Sequence, residues 1–391
     1  MPSTESNGTD LPEAPGTGPV LRESTPTTST TDTQVISQPQ LPTTSTSPSP
    51  NNKPSTLPNP SPTFHLKPPP PPHTLSPYQT PTPHLFQTAH FGTPHLSQSP
   101  SNYTLQISGL ITHPQTFSLL ALKNLPTTTL TSLHECYGSP LSPPPTKNLF
   151  RISNVTWTGV RLSHLLSLTG PLLPESKYIW ASAPDHGTFG GVTAKFYQKD
   201  LPLSKALAPE VLLAWEINGE SLPREHGGPV RLVVPGWFGT NSVKWVERIE
   251  VRDRRAGGPF TTIFYNEPDP RTGQEGKMRA VWEVQVNSMV VRPEAGEVVK
   301  KGGGKGVEVR GWAWGCEDVE GVGVSFDGGI SWVAADVEER VGFGWQGFRA
   351  TLDLAAGRHE IIASATLRDG SVQPLSGTRN HCHRVEFEVV G

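Results

Sequence analysis

The amino-acid sequence predicts an α+β domain followed by an all-β domain with an immunoglobulin-like sandwich architecture. Three observations predict this organisation. More than half of the 42 prolines lie among the first 100 residues, which contain none of the 10 tryptophans. Residues 84–275 mix short helical patterns with short strand patterns, as is typical of α+β domains. Residues 276–391 carry alternating strands separated by Asp-Gly turns, which is typical of sandwiches.

Residues 1–83 consist largely of Ser, Thr and Pro with isolated apolar side chains. Such a composition buries too little apolar surface to offset the entropy of ordering the backbone, so we predict a disordered leader. Its proline run, Lys67–His73, is typical of polyproline II, either a stiff spacer or a docking motif for aromatic grooves. We favour the spacer and expect order to begin near His84.

Charge and composition exclude several classes of protein. A net charge of -3 and a pI near 6.5 argue against a nucleic-acid partner. No apolar run approaches the roughly 20 residues that span a bilayer, and the N-terminus resembles neither a secretion signal nor a transit peptide. We expect a cytoplasmic protein with no membrane partner, and leave the mitochondrial intermembrane space and the peroxisome open. Cys136, Cys316 and Cys382 lie far apart and are expected to be reduced thiols.

The elements of the first domain follow from periodicity and turn residues. YTLQISGL alternates apolar and polar residues and predicts a strand that ends at Gly109. Next come a short helix before Pro126, a helix in GVRLSHLLSLTG that ends at Gly170, and a strand in KYIWASA. A further strand is closed by a hairpin turn at Asn218-Gly219, and VRLVVPGW predicts the most deeply buried strand of the chain.

The second domain is predicted to be a sandwich of about 110 residues. Its strand patterns are EVRGWAWG, GVGVSFDGGISWVAA, FRATLDL, HEIIASATLRDGSVQP and HRVEFEVVG. We predict that its tryptophans pack between the two sheets, namely Trp312, Trp314, Trp332 and Trp345. The run His381-Cys382-His383 is assigned a structural role, because alternating strand residues point to opposite faces.

Cys136 is the first candidate for chemistry. It lies in HECYGSP, between the apolar run TTTLTSL and a proline-rich loop. A thiolate at a strand end can offer a soft ligand to a metal or a nucleophile to a substrate. A small buried hydrophobe is the structural alternative, and a lone cysteine leaves both open.

Polar residues around the VRLVVPGW strand form the second candidate site. His226, Arg231 and Lys244 flank this strand, and Asn241 and Ser242 follow it. Such a set suits a phosphate and a heteroaromatic ring. Cations that extend from a buried strand to solvent would produce the same composition, so both interpretations stand. Asp185, in ASAPDHGTFGG, could accept hydrogen bonds from ring amino groups, or could belong to an ordinary turn.

Across residues 84–391 the chain resembles the sulfite oxidase family of molybdopterin-dependent oxidoreductases, in particular a haem-free subgroup. The motifs that carry the resemblance are HGGPVRLVVPGWFGTNSVKW, LHECYGSPLSPP and NVTWTGVRLSHLL. In the second domain, VWEVQVNSMVVRPEAGE, VRGWAWG and VSFDGGISW resemble the dimerisation sandwich of that family.

The resemblance implies that Cys136 ligates molybdenum and that Tyr265 is an active-site tyrosine. It implies one Mo-molybdopterin per chain, no haem, a small oxyanion substrate, an external electron acceptor such as cytochrome c or oxygen, and a homodimer. No HPGG haem segment precedes the domain, in keeping with an external acceptor. The residues implied to bind cofactor are Phe86, Gln87, Thr88, Ala89, His90, Asp185, His226, Arg231, Ser242, Val243 and Lys244.

This chain departs from the family where substrate would bind. Thr88 stands in place of an arginine, and Ser139–Leu141 replace a run with another arginine. An anionic substrate needs cations near the metal, which Arg151, Arg379 or Arg384 could supply. Sulfite oxidation to sulfate is therefore the first hypothesis. The second is the same cofactor acting on another sulfur or nitrogen oxide or an S-oxide, and the third is a catalytically silent binding relative.

Overall fold

The computed structural model describes Lys67 and residues 69–94, 100–139, 150–269, 277–301 and 306–391, which belong to one compact unit. The predicted disorder of residues 1–66 concerns residues outside this description. Within the described part, no helix is long and apolar enough to cross a membrane.

The first domain is built on two five-stranded sheets. One has the strand order β2-β1-β12-β5-β8; the other has β10-β9-β4-β3, with β11 pairing to β9. The elements of this domain in chain order are β1 (Thr104–Gly109), β2 (Gln115–Ser118), α1 (Leu119–Lys123), β3 (Thr127–Glu135), β4 (Ile152–Arg161), α2 (Leu162–Ser167), β5 (Tyr178–Ala183), β6 (Gly187–Phe189), β7 (Val192–Ala194), β8 (Tyr197–Pro202), α3 (Leu203–Ala206), β9 (Leu212–Ile217), β10 (Glu220–Ser221), β11 (Arg231–Val233), β12 (Arg248–Arg252), α4 (Pro259–Thr262), β13 (Asn266–Pro268) and β14 (Met278–Ala280).

Several elements of this domain arise where local sequence predicts them. Leu105 and Ile107 of β1 alternate inward, and α1 begins where the Ser118 hydroxyl accepts a hydrogen bond from the Ala121 amide at 3.1 Å. The predicted turn at Asn218-Gly219 is confirmed. Both residues have positive φ values, 54° and 80°, as a tight turn between β9 and β10 requires.

The predicted helix ending at Gly170 is shorter than its pattern. Residues 159–161 belong to β4, and α2 occupies only Leu162–Ser167. The cause is tertiary, because β4 lies so close to β9 that a Cβ at Gly159 would approach the Leu213 carbonyl oxygen to 2.2 Å. Strand pairing here outweighs the helical spacing of the apolar residues.

The second domain is the predicted sandwich. Its sheets have the strand orders β15-β17-β21-β20 and β16-β23-β22-β18-β19. Val309 and Phe348 from the first sheet pack in one cluster with Ile361 and Phe387 from the second. Its strands are β15 (Asn287–Arg292), β16 (Val298–Lys300), β17 (Val307–Trp314), β18 (Val319–Ser325), β19 (Val333–Ala334), β20 (Asp336–Val337), β21 (Gln346–Leu352), β22 (Gly357–Leu367) and β23 (Val385–Val390).

The prediction for the tryptophans of this domain is wrong. Trp312 and Trp314 alternate with the inward-facing Val309 and Ala313 of β17, so they leave the sandwich core and pack against the first domain. Trp312 stacks on Trp345 with ring centroids 4.9 Å apart in a cluster that includes Leu133 and Phe238. Trp332 is 40% exposed. Three of the four tryptophans therefore form the seam between the domains.

Order begins before His84, contrary to the prediction. We call residues 71–85 the strap. Leu75 within it is fully buried among the seam tryptophans, and its carbonyl accepts a hydrogen bond from the Trp312 indole at 2.7 Å. The Trp345 indole donates to the Tyr78 carbonyl at 3.0 Å. On the first-domain side, the amide of Thr80 donates to the Asn154 carbonyl at 2.8 Å. The strap thus contacts both domains.

Candidate active site

A cleft lined by polar and aromatic side chains lies in the first domain, as is typical of small-molecule sites. Its walls come from the segment that follows the strap, the ends of β3 and β4, the chain around β11, and Tyr265. The cleft is lined by Cys136 and Tyr137 together with His226, Arg231 and Lys244. The fold therefore gathers residues that are more than 100 positions apart.

Cys136 directly follows β3, and its amide donates to the Arg151 carbonyl at 2.9 Å, which continues the pairing of β3 with β4. The thiol is free. Burial raises the pKa of the Cys136 thiol, and this effect outweighs the opposing one of nearby Arg151 and Arg379. A metal ion would reverse that balance, since metal ligation deprotonates cysteine.

Arg231 is the central cation of the cleft. It is the first residue of β11 and is buried. Its guanidinium donates to the His226 carbonyl at 3.0 Å and to the His134 ring nitrogen at 2.6 Å, and lies 5.4 Å from the Trp157 ring centroid. Burial lowers the pKa of His226 to about 3 and that of His134 well below its usual value, so both rings are neutral acceptors or donors.

Lys244 lies beside this group. Its ammonium donates to the carbonyls of Thr88 at 3.0 Å and Glu225 at 2.8 Å. Burial, assisted by Arg231, lowers the pKa of Lys244 to about 7, and burial raises the pKa of Asp185 to about 7. Gly227 has a φ of 109°, and a Cβ there would meet Lys244 at 3.0 Å, so this approach requires glycine.

His90 and Tyr265 form a hydrogen-bonded pair through the imidazole Nε2 and the phenol oxygen. Phe260 and Tyr197 surround His90, with ring centroids 4.7 Å and 5.3 Å away. Burial lowers the pKa of His90 to about 3, so the ring is neutral. Tyr265 has a φ of 58°, which is unusual for a residue with a side chain, and its ring lies 6.1 Å from that of Tyr137.

All the predicted site residues line this cleft except Gln87, Asn241 and Val243. Gln87 forms an isolated β-bridge with Lys67. Val243 is 1% exposed within the hydrophobic core, and its carbonyl accepts from the Leu232 amide at 2.9 Å. The quoted motifs contain residues that line the cleft, together with neighbours in the same runs that point away from it.

None of the three arginines considered as replacements lines the cleft. The Arg379 guanidinium is bound to the Glu135 carboxylate at 2.5 Å, and Arg384 pairs with Glu360.

Arg151 donates to the Gly138 carbonyl, and its amide donates to the Ser139 hydroxyl at 2.5 Å. Pro140 and Leu141, which replace the second family arginine, lie outside the described residues.

Sequence reasoning missed several residues of the cleft. His134 shares the alternation of β3 with Cys136, so strand periodicity could have identified it. Tyr137 adjoins the cysteine, and its phenol donates to the Glu267 carboxylate at 3.2 Å. Tyr197 reaches the cleft from β8, where it donates to the Thr240 carbonyl at 2.7 Å. Only tertiary structure brings Tyr197 to this place.

The cleft fits a polar ring system with a phosphate. Four buried polar atoms on its lining residues have no hydrogen-bond partner, namely Asp185 Oδ1, Thr88 Oγ1, Arg231 Nε and Trp157 Nε1. Buried polar groups are rarely left unsatisfied, so these atoms point to a bound ligand. Within the described ranges, no group of three or more His, Cys, Asp or Glu residues could hold a metal ion. A metal at Cys136 would therefore take further ligands from a cofactor.

Comparison with known proteins agrees with this geometry. The oxidoreductase molybdopterin binding domain model matches residues 90–260, and the Mo-co oxidoreductase dimerisation domain model matches residues 278–386. The sulfite oxidase of Arabidopsis thaliana is 30% identical over 308 residues, which are 70% of this chain and 77% of that protein. The chain belongs to the sulfite oxidase family of molybdopterin oxidoreductase enzymes.

Two further relatives define the range of the similarity. The mitochondrial sulfite oxidase of Homo sapiens is 35% identical over 238 residues, covering 57% of this chain and 43% of that protein. The sulfane dehydrogenase SoxCD from Paracoccus pantotrophus superposes with a TM-score of 0.68 at 28% identity, covering 80% of this chain and 82% of that chain. The chain spans about half the length of the animal sulfite oxidases that it matches.

Proposed function

We propose that this enzyme uses one Mo-molybdopterin per chain to oxidise sulfite to sulfate by oxygen-atom transfer, and passes the electrons to an external acceptor. The observation that carries the proposal is the arrangement of the cleft. A single cysteine lines the same cleft as Arg231, Lys244 and Asp185, and polar atoms of Arg231 and Asp185 have no hydrogen-bond partner among the described residues.

The chain contributes ligands, charge and a shaped cavity. Cys136 supplies the thiolate for the metal, and Arg231 and Lys244 supply cations for the cofactor phosphate. The Asp185 carboxyl faces the cleft with a free oxygen that can accept from a ring N–H group. When bound, the cofactor supplies a two-electron redox centre that exchanges an oxygen atom. The Tyr265 phenol lines the same cleft as Cys136 and is hydrogen-bonded to neutral His90, so it can orient a substrate oxygen.

A specific observation supports the second candidate, an uncharged S-oxide or another sulfur or nitrogen oxide. Arg379, the best-placed seam cation, is already paired with Glu135, so its charge is compensated before substrate arrives. Next to Cys136, Tyr137 presents an aromatic ring to the cleft. Two relatives are named for different sulfur substrates, one as a sulfite oxidase and the other as a sulfane dehydrogenase.

The test uses full-length protein made in a host that synthesises molybdopterin. Sulfite oxidation is measured with ferricyanide, cytochrome c and oxygen, and reduction of S-oxides is measured with a reduced viologen. Sulfite turnover supports the first candidate. Turnover of an S-oxide alone supports the second, and molybdenum-loaded protein inactive in both assays would contradict both proposed activities.

We also propose a homodimer that forms through the sandwich domain. An apolar surface there includes Ile330, which is 87% exposed, together with Trp332 and Leu375. These side chains are neighbours, since a Cβ at Gly329 would lie 3.1 Å from Leu375 and 3.3 Å from Trp332. Exposed apolar patches of this kind mark interaction sites. A cytoplasmic location is part of the proposal, and cell fractionation tests it.

A further inference from the structure

The residues on either side of Cys136 are held by the sandwich domain. Glu135 is 1% exposed, although carboxylates are seldom buried without partners. One of its oxygens pairs with the Arg379 guanidinium at 2.5 Å, and the other accepts from the Trp314 indole at 2.9 Å. Both partners belong to the sandwich domain. Glu135 therefore ties the last residue of β3 to the other domain.

Arg379 makes a second set of contacts on the other side of the cysteine. Its Nε donates to the Tyr137 carbonyl at 3.1 Å, and its guanidinium lies 4.5 Å from the Phe238 ring centroid and 5.3 Å from that of Tyr137. Its Nη1 approaches the Gln285 side-chain oxygen at 3.4 Å. The Arg379 side chain thus binds Glu135, before Cys136, through an ion pair, and it binds Tyr137, after Cys136, through a hydrogen bond to the backbone carbonyl.

This geometry separates two roles for Arg379. A cation that binds substrate needs N–H groups directed into the cleft, whereas each of the three guanidinium nitrogens of Arg379 already has an acceptor in the protein. Arg379 does not line the cleft. A buried ion pair with satisfied hydrogen bonds favours a single arrangement of its neighbours, because every alternative leaves a charge without a partner.

We propose that Arg379, with Glu135 and Trp314, is a positioning residue for the reaction. It fixes the Cys136 thiol at the end of β3, so the sandwich domain serves the metal site as well as dimerisation. This inference rests on the proposed function for the role of Cys136 as metal ligand. In this inference Arg379 positions Cys136 and does not bind an anionic substrate.

The test compares R379Q with the paired variant E135Q/R379Q, which leaves no uncompensated buried charge and therefore guards against simple misfolding. R384Q is the matched control, because Arg384 is a half-exposed arginine of the same domain that pairs with Glu360 away from the cleft. All variants are full-length, and circular dichroism confirms that each is folded.

The first readout needs no metal. Apoprotein is treated with iodoacetamide, and modification of Cys136 is followed by mass spectrometry against Cys316 and Cys382. We expect the paired variant, which removes one charge of each sign from beside the thiol, to accelerate modification of Cys136 at least threefold, with R384Q and the other two cysteines unchanged. Acceleration below threefold in the paired variant would overturn the proposal.

The second readout uses metal-loaded protein. We expect both variants to shift the thiolate-to-metal absorption band and to lower kcat about tenfold or more, while KM stays within threefold. A rise in KM for sulfite, with the absorption band and kcat unchanged, would make Arg379 a substrate cation and overturn the proposal. If wild-type protein holds no molybdenum, the proposed function fails, but the alkylation experiment still decides whether Arg379 positions Cys136.

Discussion

At the scale of single residues, Lys244 and Asp185 show how the cleft is prepared for a ligand. Burial moves the pKa of each toward 7, from opposite directions. The folded chain without ligand thus holds a lysine and a carboxyl in unfavourable surroundings, a common property of functional sites. A bound phosphate would favour the charged form of Lys244, and a ring N–H group would favour the carboxylate of Asp185.

This state of Lys244 predicts a pH dependence of stability. Between about pH 7 and pH 10 the unfolded chain keeps a proton on Lys244 that the folded apoprotein has released. The free energy of unfolding therefore rises with pH in this window, by at most about 1.4 kcal/mol per pH unit from this group. We expect K244M to flatten that rise and to weaken retention of molybdopterin at least tenfold.

Urea unfolding of apoprotein at several pH values measures how steeply the free energy of unfolding rises with pH. Dialysis of cofactor-loaded protein measures how well molybdopterin is retained. The control is K123M, which changes an exposed lysine of α1. A slope in K244M equal to that of wild type would show that Lys244 does not titrate in this range.

Single residues also show how far the sequence predicted the site. The sequence proposed Cys136, Arg231 and Lys244 as candidates, and the fold brings all three to one cleft. The sequence did not show that the Val243 side chain points into the core, because packing against neighbouring strands determines that direction. Tyr137 was missed because its role depends on Glu267, which is 130 positions away.

At the scale of elements, the strap was the main feature that the amino-acid composition did not predict. Its proline-rich sequence resembles the leader before it, and its burial depends on Trp312, which follows Leu75 by 237 positions. The strands of the sandwich were predicted because alternation and turns are local signals. Which face of β17 meets the other domain was not predictable, since the face that carries Trp312 and Trp314 also carries the charged Glu308 and Arg310 and therefore resembles a solvent-exposed face.

The strap gives a prediction at this scale. L75A removes a fully buried side chain from the seam cluster, and we expect it to lower the free energy of unfolding by about 2–5 kcal/mol. L120A is the control, because Leu120 of α1 is 70% exposed and its removal should cost about 0.5 kcal/mol or less. Thermal and urea unfolding measure both values. Equal stability of the two variants would mean that the strap is not part of the folded seam.

At the scale of the whole molecule, both domains contribute to the surroundings of Cys136. The Trp314 indole and the Arg379 guanidinium of the sandwich both bind Glu135 at the end of β3, and the seam tryptophans pack against the first domain. The sandwich also carries the exposed apolar surface that includes Ile330, Trp332 and Leu375.

The proposed homodimer gives the corresponding prediction. I330E places a charge in the apolar surface, and we expect the dimer dissociation constant to rise at least tenfold, because burying an unpaired carboxylate is costly. Analytical ultracentrifugation over a range of concentrations measures this constant. V298E is the control, since Val298 is an exposed valine elsewhere on the sandwich. Wild-type protein that stays monomeric, or a dimer unaffected by I330E, would contradict this interface.

The account depends most directly on Cys136 binding molybdenum. X-ray absorption at the molybdenum edge, with metal analysis of the same sample, measures both occupancy and sulfur ligation. We predict close to one molybdenum per chain and one sulfur ligand more in wild type than in C136S, with turnover lost in the variant and kept in C316S. Molybdenum-free protein from a cofactor-producing host, or identical sulfur ligation in wild type and C136S, would contradict the account.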